Sequence, residues 1–453
     1  MQSIINKKFV FISEAVILLS VLAFIVVKQM DFVSSLGIVI VAMIIPMLFI
    51  MPYYSLLFLI IVRNTTDLYT ESIFISIFDI VTLNFSSILG IIIIFWSIFI
   101  ILKERIIIRK IPLFYPWILF LAFSAISFVY SVDIFSSIKM FSRILSFFLI
   151  YIISYFYFVK YRNKKDYFIK ALFISYLLPC VFGVYQLLTG TGSFGQEGFI
   201  RVNGTYYHPN SFAFNLFFIF FVFSIIYFNT KFNEKTLKYK NWLKIYLLMI
   251  SVLLVATLTR SAWIGFVLFI GSLILIYGRK SITKFALLIV GVLFMFYVSM
   301  NYTPLKYYNF NEISVVRRVT TSAYLLSSWE WRNKVWTEMT SYVYQSPIIG
   351  FGLDTFGFLR EKQINDVYES TYAHNDYLKI LIELGFVGIF LYLNLIFHTL
   401  KNIYKKFLEH KDNKYLISFI GILIIFLISS VDNILTATSL QWVMWSYIAY
   451  ILS

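Results

Sequence analysis

"AHNDYLKILIELGFVGIFLYL", residues 373–393, places a histidine, an asparagine and an aspartate directly before a long, mostly apolar run. A run of this kind is the signature of a helix that crosses a bilayer, where about 20 predominantly apolar residues span the hydrocarbon core. His374 then stands at the mouth of a membrane helix. A histidine there is ordinarily an interfacial residue or a cap. It can also be a chemical group held at the membrane surface. The reading of this stretch decides the fold, and the rest of the chain decides between the two roles.

Outward from this stretch the same pattern recurs. Hydrophobic residues make up 60% of the chain, aromatic residues 20% and charged residues only 13%, too few charges for a soluble domain of this length. The first run, 9–27, has no small-residue cleavage site after it and reads as a retained helix rather than a signal peptide. From residue 85 onward the pattern predicts helices over 85–102, 113–130, 138–159, 166–188, 211–228, 243–258, 262–277, 282–299, 376–400, 414–430 and 437–452. Residues 33–62 contain Pro46 and Pro52 and form either one kinked span or two short ones; Lys7 and Lys8 favour an inside N-terminus. The expectation is an all-α polytopic membrane protein of about 12–14 helices. Its parts are the helices of 1–299, a long external loop at 300–375 and three final helices in 376–453.

Charge orients this array. The net charge is +16, and the loops 103–110, 160–166, 229–244, 279–284 and 401–414 hold 21 basic and 5 acidic residues, which is the whole excess. Short basic loops stay in the cytoplasm, next to anionic lipid. The intervening loops, 131–137, 189–210, 259–261, 300–375 and 431–436, fall outside. This placement argues against nucleic acid as a partner, because no basic stripe with interleaved aromatics exists elsewhere. The lone cysteine, Cys180, cannot form an internal disulfide.

The 300–375 loop is long enough to be functional. Within it, "SSWEWRNKVWTEMTSYVYQSPIIGFG", residues 327–352, shows helical spacing through Trp329, Val335 or Trp336, Met339 and Val343, and predicts an amphipathic helix on the membrane face. The outer face also holds Arg201 in "GQEGFIRVNGTYYHPNSFAFN", Arg260 in the tight connection "TLTRSAWIGF", Arg332 in the loop helix and Arg143 about one turn inside its span. Each has a bland reading, snorkelling to headgroups or pairing with an acid. Guanidinium also takes phosphate in planar, bidentate contacts. Arg260 departs from the bland reading because a tight turn leaves it little freedom to reach bulk water. A neutral His374 can accept a proton. No HExxH and no closely spaced aspartate pair is present, so no metal site is expected. No phosphate-binding or dinucleotide-binding glycine motif is present either, and no cofactor is expected.

"TRSAW" at 259–263, "RVNGTYYHPN" at 201–210, "WRNKVWTEM" with "SPIIGFG" within 331–352, and "AHNDYLKILIELGFVG" at 373–388 together resemble the O-antigen ligase and polymerase superfamily. The motifs occur in the family's order, and the likeness covers the second half of the chain; the first half matches in hydropathy only. The resemblance implies a GT-C-like, inverting glycosyltransferase of the bacterial cytoplasmic membrane with its active site on the external face. The implied substrates are glycans on undecaprenyl diphosphate, as donor and as acceptor. A flippase and a chain-length regulator are the implied partners, besides membrane lipid. By position, Arg201 and Arg260 match the family's arginines for the diphosphate, Arg332 matches the loop arginine, and His374 matches the base that activates the acceptor hydroxyl. His208, Asn210, Arg143 and Asn375 are secondary site expectations. Asn375, Glu383 and Gly385 read as structural, with Gly385 and Gly388 permitting close helix packing.

Three function classes remain. An enzyme joining lipid-linked glycans explains the outer arginines and the histidine. A flippase or transporter needs polar groups through the bilayer, yet the charges concentrate in loops and no internal repeat is visible. A structural envelope protein needs neither feature. Within the enzyme reading, polymerisation of repeat units is favoured over ligation to lipid A core or another acceptor. The abundance of Ile, Phe, Tyr, Lys and Asn suggests an AT-rich genome, as in many producers of surface polysaccharide that lack lipid A.

Overall fold

The computed structural model describes residues 44–67, 74–77, 81–194, 200–229, 237–278, 322–362 and 371–453. The expected helices at 9–27 and 282–299, the N-terminal side and the first part of the long loop lie outside these residues. The described chain is helical, as composition requires. Its helices are α1 (Pro52–Thr65), α2 (Phe85–Lys103), α3 (Phe114–Ile126), α4 (Ile134–Lys160), α5 (Asp166–Thr189), α6 (Pro209–Asn229), α7 (Leu237–Ala256) and α8 (Arg260–Tyr277). They continue with α9 (Ser322–Gln345), α10 (Phe356–Glu361), α11 (Asp376–His410), α12 (Asn413–Ile428) and α13 (Thr438–Leu452). Two small antiparallel pairs join them: β1 (Phe74–Ile77) with β2 (Val81–Asn84), and β3 (Ser193–Phe194) with β4 (Ile200–Arg201). Among the described residues six helices are long and apolar enough to cross a membrane: those within 86–103, 134–160, 162–189, 209–229, 260–277 and 376–410. The molecule is an all-α polytopic membrane protein.

α6, α13 and the inner half of α4 form the centre. Almost every side chain of α6 from Phe212 to Ile225 and of α13 from Ser439 to Ala449 is buried. The polar atoms carried into this centre find one another. Trp442 Nε1 donates to Ser146 Oγ at 3.0 Å, Ser154 Oγ to Ser446 Oγ at 3.1 Å, and Trp445 Nε1 to Gln441 Oε1 at 2.9 Å. No water competes in a bilayer core, so such pairs must be made within the protein.

The two ends of the bundle differ. At one end Lys160 pairs with Glu104, Tyr53 Oη donates to the Lys164 carbonyl, Tyr277 Oη to Asn229 Oδ1, and Asn229 Nδ2 to Asp412. These contacts join four of the basic loops in two pairs, 103–110 with 160–166 and 229–244 with 401–414. The opposite end holds the 127–137, 200–210, 257–261 and 429–437 connections with the described part of the long loop. α1 runs from the basic end, at Tyr53, to the other, where Thr205 Oγ1 donates to the Asn64 carbonyl.

The loop helix α9 corrects one expectation. Val335, Met339 and Val343 do form its apolar stripe, but the stripe packs on Phe356, Leu359, Ala373 and Ile382 of the protein rather than lying on the membrane. Arg360, buried, pairs with Glu338 across this small core.

α11 is broken rather than straight. Gly385 has φ +63°, which interrupts the helix. The segment 347–352 fills the interruption: Phe386 N donates to Pro347 O, Val387 N to Ile348 O, Phe351 N to Ile382 O and Gly352 N to Glu383 O, at 2.8–3.2 Å. The motif "SPIIGFG" is thus the backbone partner of the motif "ELGFVG". A Cβ on Gly385 would stand 2.3 Å from the Ile348 carbonyl, and one on Gly350 2.4 Å from Glu383. Below the break, Lys379 reaches Asp354 at 2.5 Å and Glu383 at 3.0 Å, and Glu383 Oε1 accepts from Phe356 N. The same segment is sewn to the start of α4, where Ser137 Oγ donates to Leu353 O and Val132 N to Phe351 O.

Candidate active site

Each residue of "AHND" has a separate task. The Ala373 carbonyl accepts from Trp336 Nε1 at 2.8 Å, which ties the loop helix to the site. Asn375 caps α11, its Oδ1 accepting from Leu378 N at 3.0 Å; its side chain is therefore structural. Asp376 is buried and holds the α12–α13 connection. Its Oδ2 accepts from Ser429 Oγ at 2.9 Å and Leu435 N at 2.8 Å, and its own N–H donates to Ser429 O. His374 alone is left with its ring to the interior. Its φ is +46°, a left-handed conformation that costs a non-glycine residue about 1 kcal/mol or more and marks functional positions.

The connection clamped by Asp376 presents Asp432 to that ring. Asp432 Oδ1 lies 3.6 Å from His374 Nδ1, and Asn433 Nδ2 lies 3.4 Å from the same nitrogen. Asp432 is buried and is held by Ser261 Oγ at 2.9 Å and Asn210 Nδ2 at 3.3 Å. Burial pushes its pKa up. The contact and charge of His374, the charge of Arg332 and the Ser261 hydrogen bond outweigh that, so the carboxyl titrates below its usual value and is ionised near neutrality.

Behind Asp432 stands Arg201. Its Nε donates to the Thr257 carbonyl at 2.8 Å, and its Nη2 donates to Asn210 Oδ1 at 2.6 Å and Thr259 Oγ1 at 2.9 Å. With its Oδ1 taken by Arg201, Asn210 must turn its amide nitrogen to Asp432. The polar line Arg201–Asn210–Asp432–His374 therefore joins two of the sequence motifs, and a third flanks it through Thr259 and Ser261. The short β3–β4 pair and a close backbone approach at Gly192 set the position of Arg201.

A cavity of about 750 Å³ opens beside this line. His374, Asp432, Asn210, His208 and Arg143 line it; Arg201, Arg260 and Arg332 are not among its lining residues. Arg260 begins α8, as the tight connection predicts, and Arg332 sits on α9 close enough for its charge to act on Asp432. His208 Nδ1 accepts from Asn210 N at 3.1 Å. Burial and then the charge of Arg201 pull the pKa of His208 down to about 4, against the pull of Asp432. It is a neutral residue at pH 7.

Asp432 was missed by sequence reasoning. The available signal was an aspartate in the short, otherwise uncharged 431–436 connection, on the side expected for His374.

Residues 245–393 match the family model described as O-antigen ligase. The chain carries an O-antigen ligase domain. The domain runs from within α7 past the break in α11, so it contains Arg260, Arg332 and His374, while Arg201, Asn210 and Asp432 reach its site from outside the matched segment. A search of curated proteins finds no match.

Proposed function

We propose that this chain is an inverting membrane glycosyltransferase that joins glycans carried on polyprenyl diphosphate, acting as a polymerase of repeat units. One observation carries the reading: His374 lies against an ionised, buried carboxylate at the wall of a cavity, at the end of the bundle away from the basic loops. With Nδ1–H directed to Asp432, Nε2 is free to take the proton of an acceptor hydroxyl. The acceptor oxygen then attacks the anomeric carbon of the donor sugar from the face opposite the diphosphate. The glycosyl–phosphate bond breaks, and the diphosphate leaves with the electron pair. Asp432 stabilises the imidazolium that forms. The leaving group needs positive charge rather than a proton, and the site's arginines fit that need. We place the reaction at the external face of the cytoplasmic membrane, with the basic loops inside, by the rule that short basic loops stay in the cytoplasm.

A second reading, ligation to a different acceptor, is favoured by the description of the matched family. Purified protein given a polyprenyl-diphosphate-linked repeat unit distinguishes the two. A ladder of lengthening chains supports polymerisation. Transfer only after addition of a second glycolipid or protein acceptor supports ligation. No glycan transfer under either condition would end both readings.

A further inference from the structure

α4 turns two cations toward the cavity, and among the described residues neither makes an ion pair. The helix starts at Ile134, and its N-cap Asp133 is occupied, accepting from Ser136 N at 3.2 Å. Ser136, Lys139 and Arg143 follow at spacings of three and four, share one helix face, and all line the cavity. Among the described residues Lys139 is exposed and has no hydrogen bond or ion pair, while the guanidinium of Arg143 donates only to Met140 Sδ at 3.7 Å. The other cations of the wall are matched: Arg63 with Asp67 at 2.5 Å, and Lys379 with Asp354 and Glu383. Asp354, whose charge reaches Arg143, is therefore already committed to Lys379.

This arrangement is costly without a ligand. Like charges four residues apart disfavour a helix by a few tenths of a kcal/mol, and a guanidinium with only a thioether partner near the hydrocarbon region costs more. Arg201, the position that the family likeness assigns to the diphosphate, is engaged inside the protein instead. We propose that the Ser136–Lys139–Arg143 face of α4 is the anion subsite of the cavity and receives the diphosphate of the lipid-linked substrate, an inference that rests on the glycan-transfer reading. Arg143 supplies a planar fork for two phosphate oxygens, Lys139 a mobile point charge, and Ser136 a hydroxyl donor. Arg201 is then a positioning residue acting through Asn210. The same phosphate chemistry occurs in bilayer phospholipid headgroups, and the experiment separates the two sources.

The test uses the full chain in nanodiscs, with farnesyl diphosphate as the probe and phosphatidylglycerol as competitor, alongside turnover on a polyprenyl-diphosphate-linked glycan. Lys139→Gln and Arg143→Gln are each expected to weaken probe binding by about 10- to 100-fold, the scale of one charge-assisted contact, and Arg143→Lys to recover part of it. Arg201→Ala is expected to slow transfer while probe affinity stays within about threefold, since its contacts are internal. Lys139 is exposed, so Lys139→Gln leaves the fold intact and keeps the test decisive. Unchanged probe binding in both α4 variants overturns the assignment. So does loss of probe binding in Arg201→Ala alone. Displacement of the probe by phosphatidylglycerol at equal concentration assigns the face to headgroups instead. If the wild-type protein binds the probe but transfers no glycan, the transfer reading fails while the anion site stands.

Discussion

At the scale of single residues, the pair His374–Asp432 predicts a graded loss. His374→Ala should lower turnover by about 100- to 10,000-fold, the usual worth of a general base, with lipid-linked substrate still bound. Asp432→Asn keeps the shape but removes the charge that stabilises the imidazolium, and should cost about 100-fold or more. Turnover per folded molecule decides it; wild-type rates in either variant would end the base assignment. The pH profile adds a sign. A base works deprotonated, so the rate should fall toward acid. His208, held near 4 by burial and by Arg201, stays neutral through that range, so His208→Asn should leave the acid limb in place. A limb that vanishes in His208→Asn would assign the titration to the wrong histidine. His374 was legible in the sequence because a titratable group stood at the mouth of an apolar run. Asp432 was not, because its partnership with His374 arises only when Asp376 folds the 429–435 connection back onto α11.

At the scale of elements, the broken helix and its filling segment should behave as one unit. Gly385→Ala places a methyl group 2.3 Å from the Ile348 carbonyl at a positive φ, and should destabilise by at least about 1–3 kcal/mol. Glu383→Gln leaves Lys379 with Asp354 alone and should cost a similar amount. Thermal unfolding in detergent, with proteolysis of the 347–354 segment as a local readout, measures both; unaltered melting and protection in both variants would mean that the interlock carries no stability. Helix positions were readable in the sequence, since hydropathy places most ends within a few residues of those observed. The break was not, because hydropathy is blind to backbone angle. Its trace was the pairing of two glycine-bearing motifs, which have no distance between them until the loop folds.

At the scale of the whole molecule, the loop charges predict an orientation. Asn163→Cys sits at the basic end and Glu361→Cys at the cavity end, both exposed, while the native Cys180 is buried. An impermeant thiol reagent on intact cells should label Glu361→Cys and spare Asn163→Cys. The reverse result would invert the proposed topology. Transfer should also persist in excess EDTA, because the sequence holds no closely spaced aspartate pair and the anion has cations to meet it. Activity lost to EDTA and restored by magnesium or manganese would rule out charge stabilisation by arginine and lysine alone. The bundle's class was evident from composition. Its cavity was not, since the walls come from α1, α4, α6, the loop and the α12–α13 connection, which are far apart along the chain.

The break in α11 also bears on how the protein is made. The ribosome delivers residues 347–352 before residues 382–387, so the carbonyls and amides that close the gap have already been synthesised when α11 enters the bilayer. A chain with the two segments in the opposite order would insert a helix with open backbone groups and no partner waiting. Grafting a foreign loop before α11 should therefore produce protein that reaches the membrane and is then degraded, unless the graft retains the Ser346–Gly352 turn.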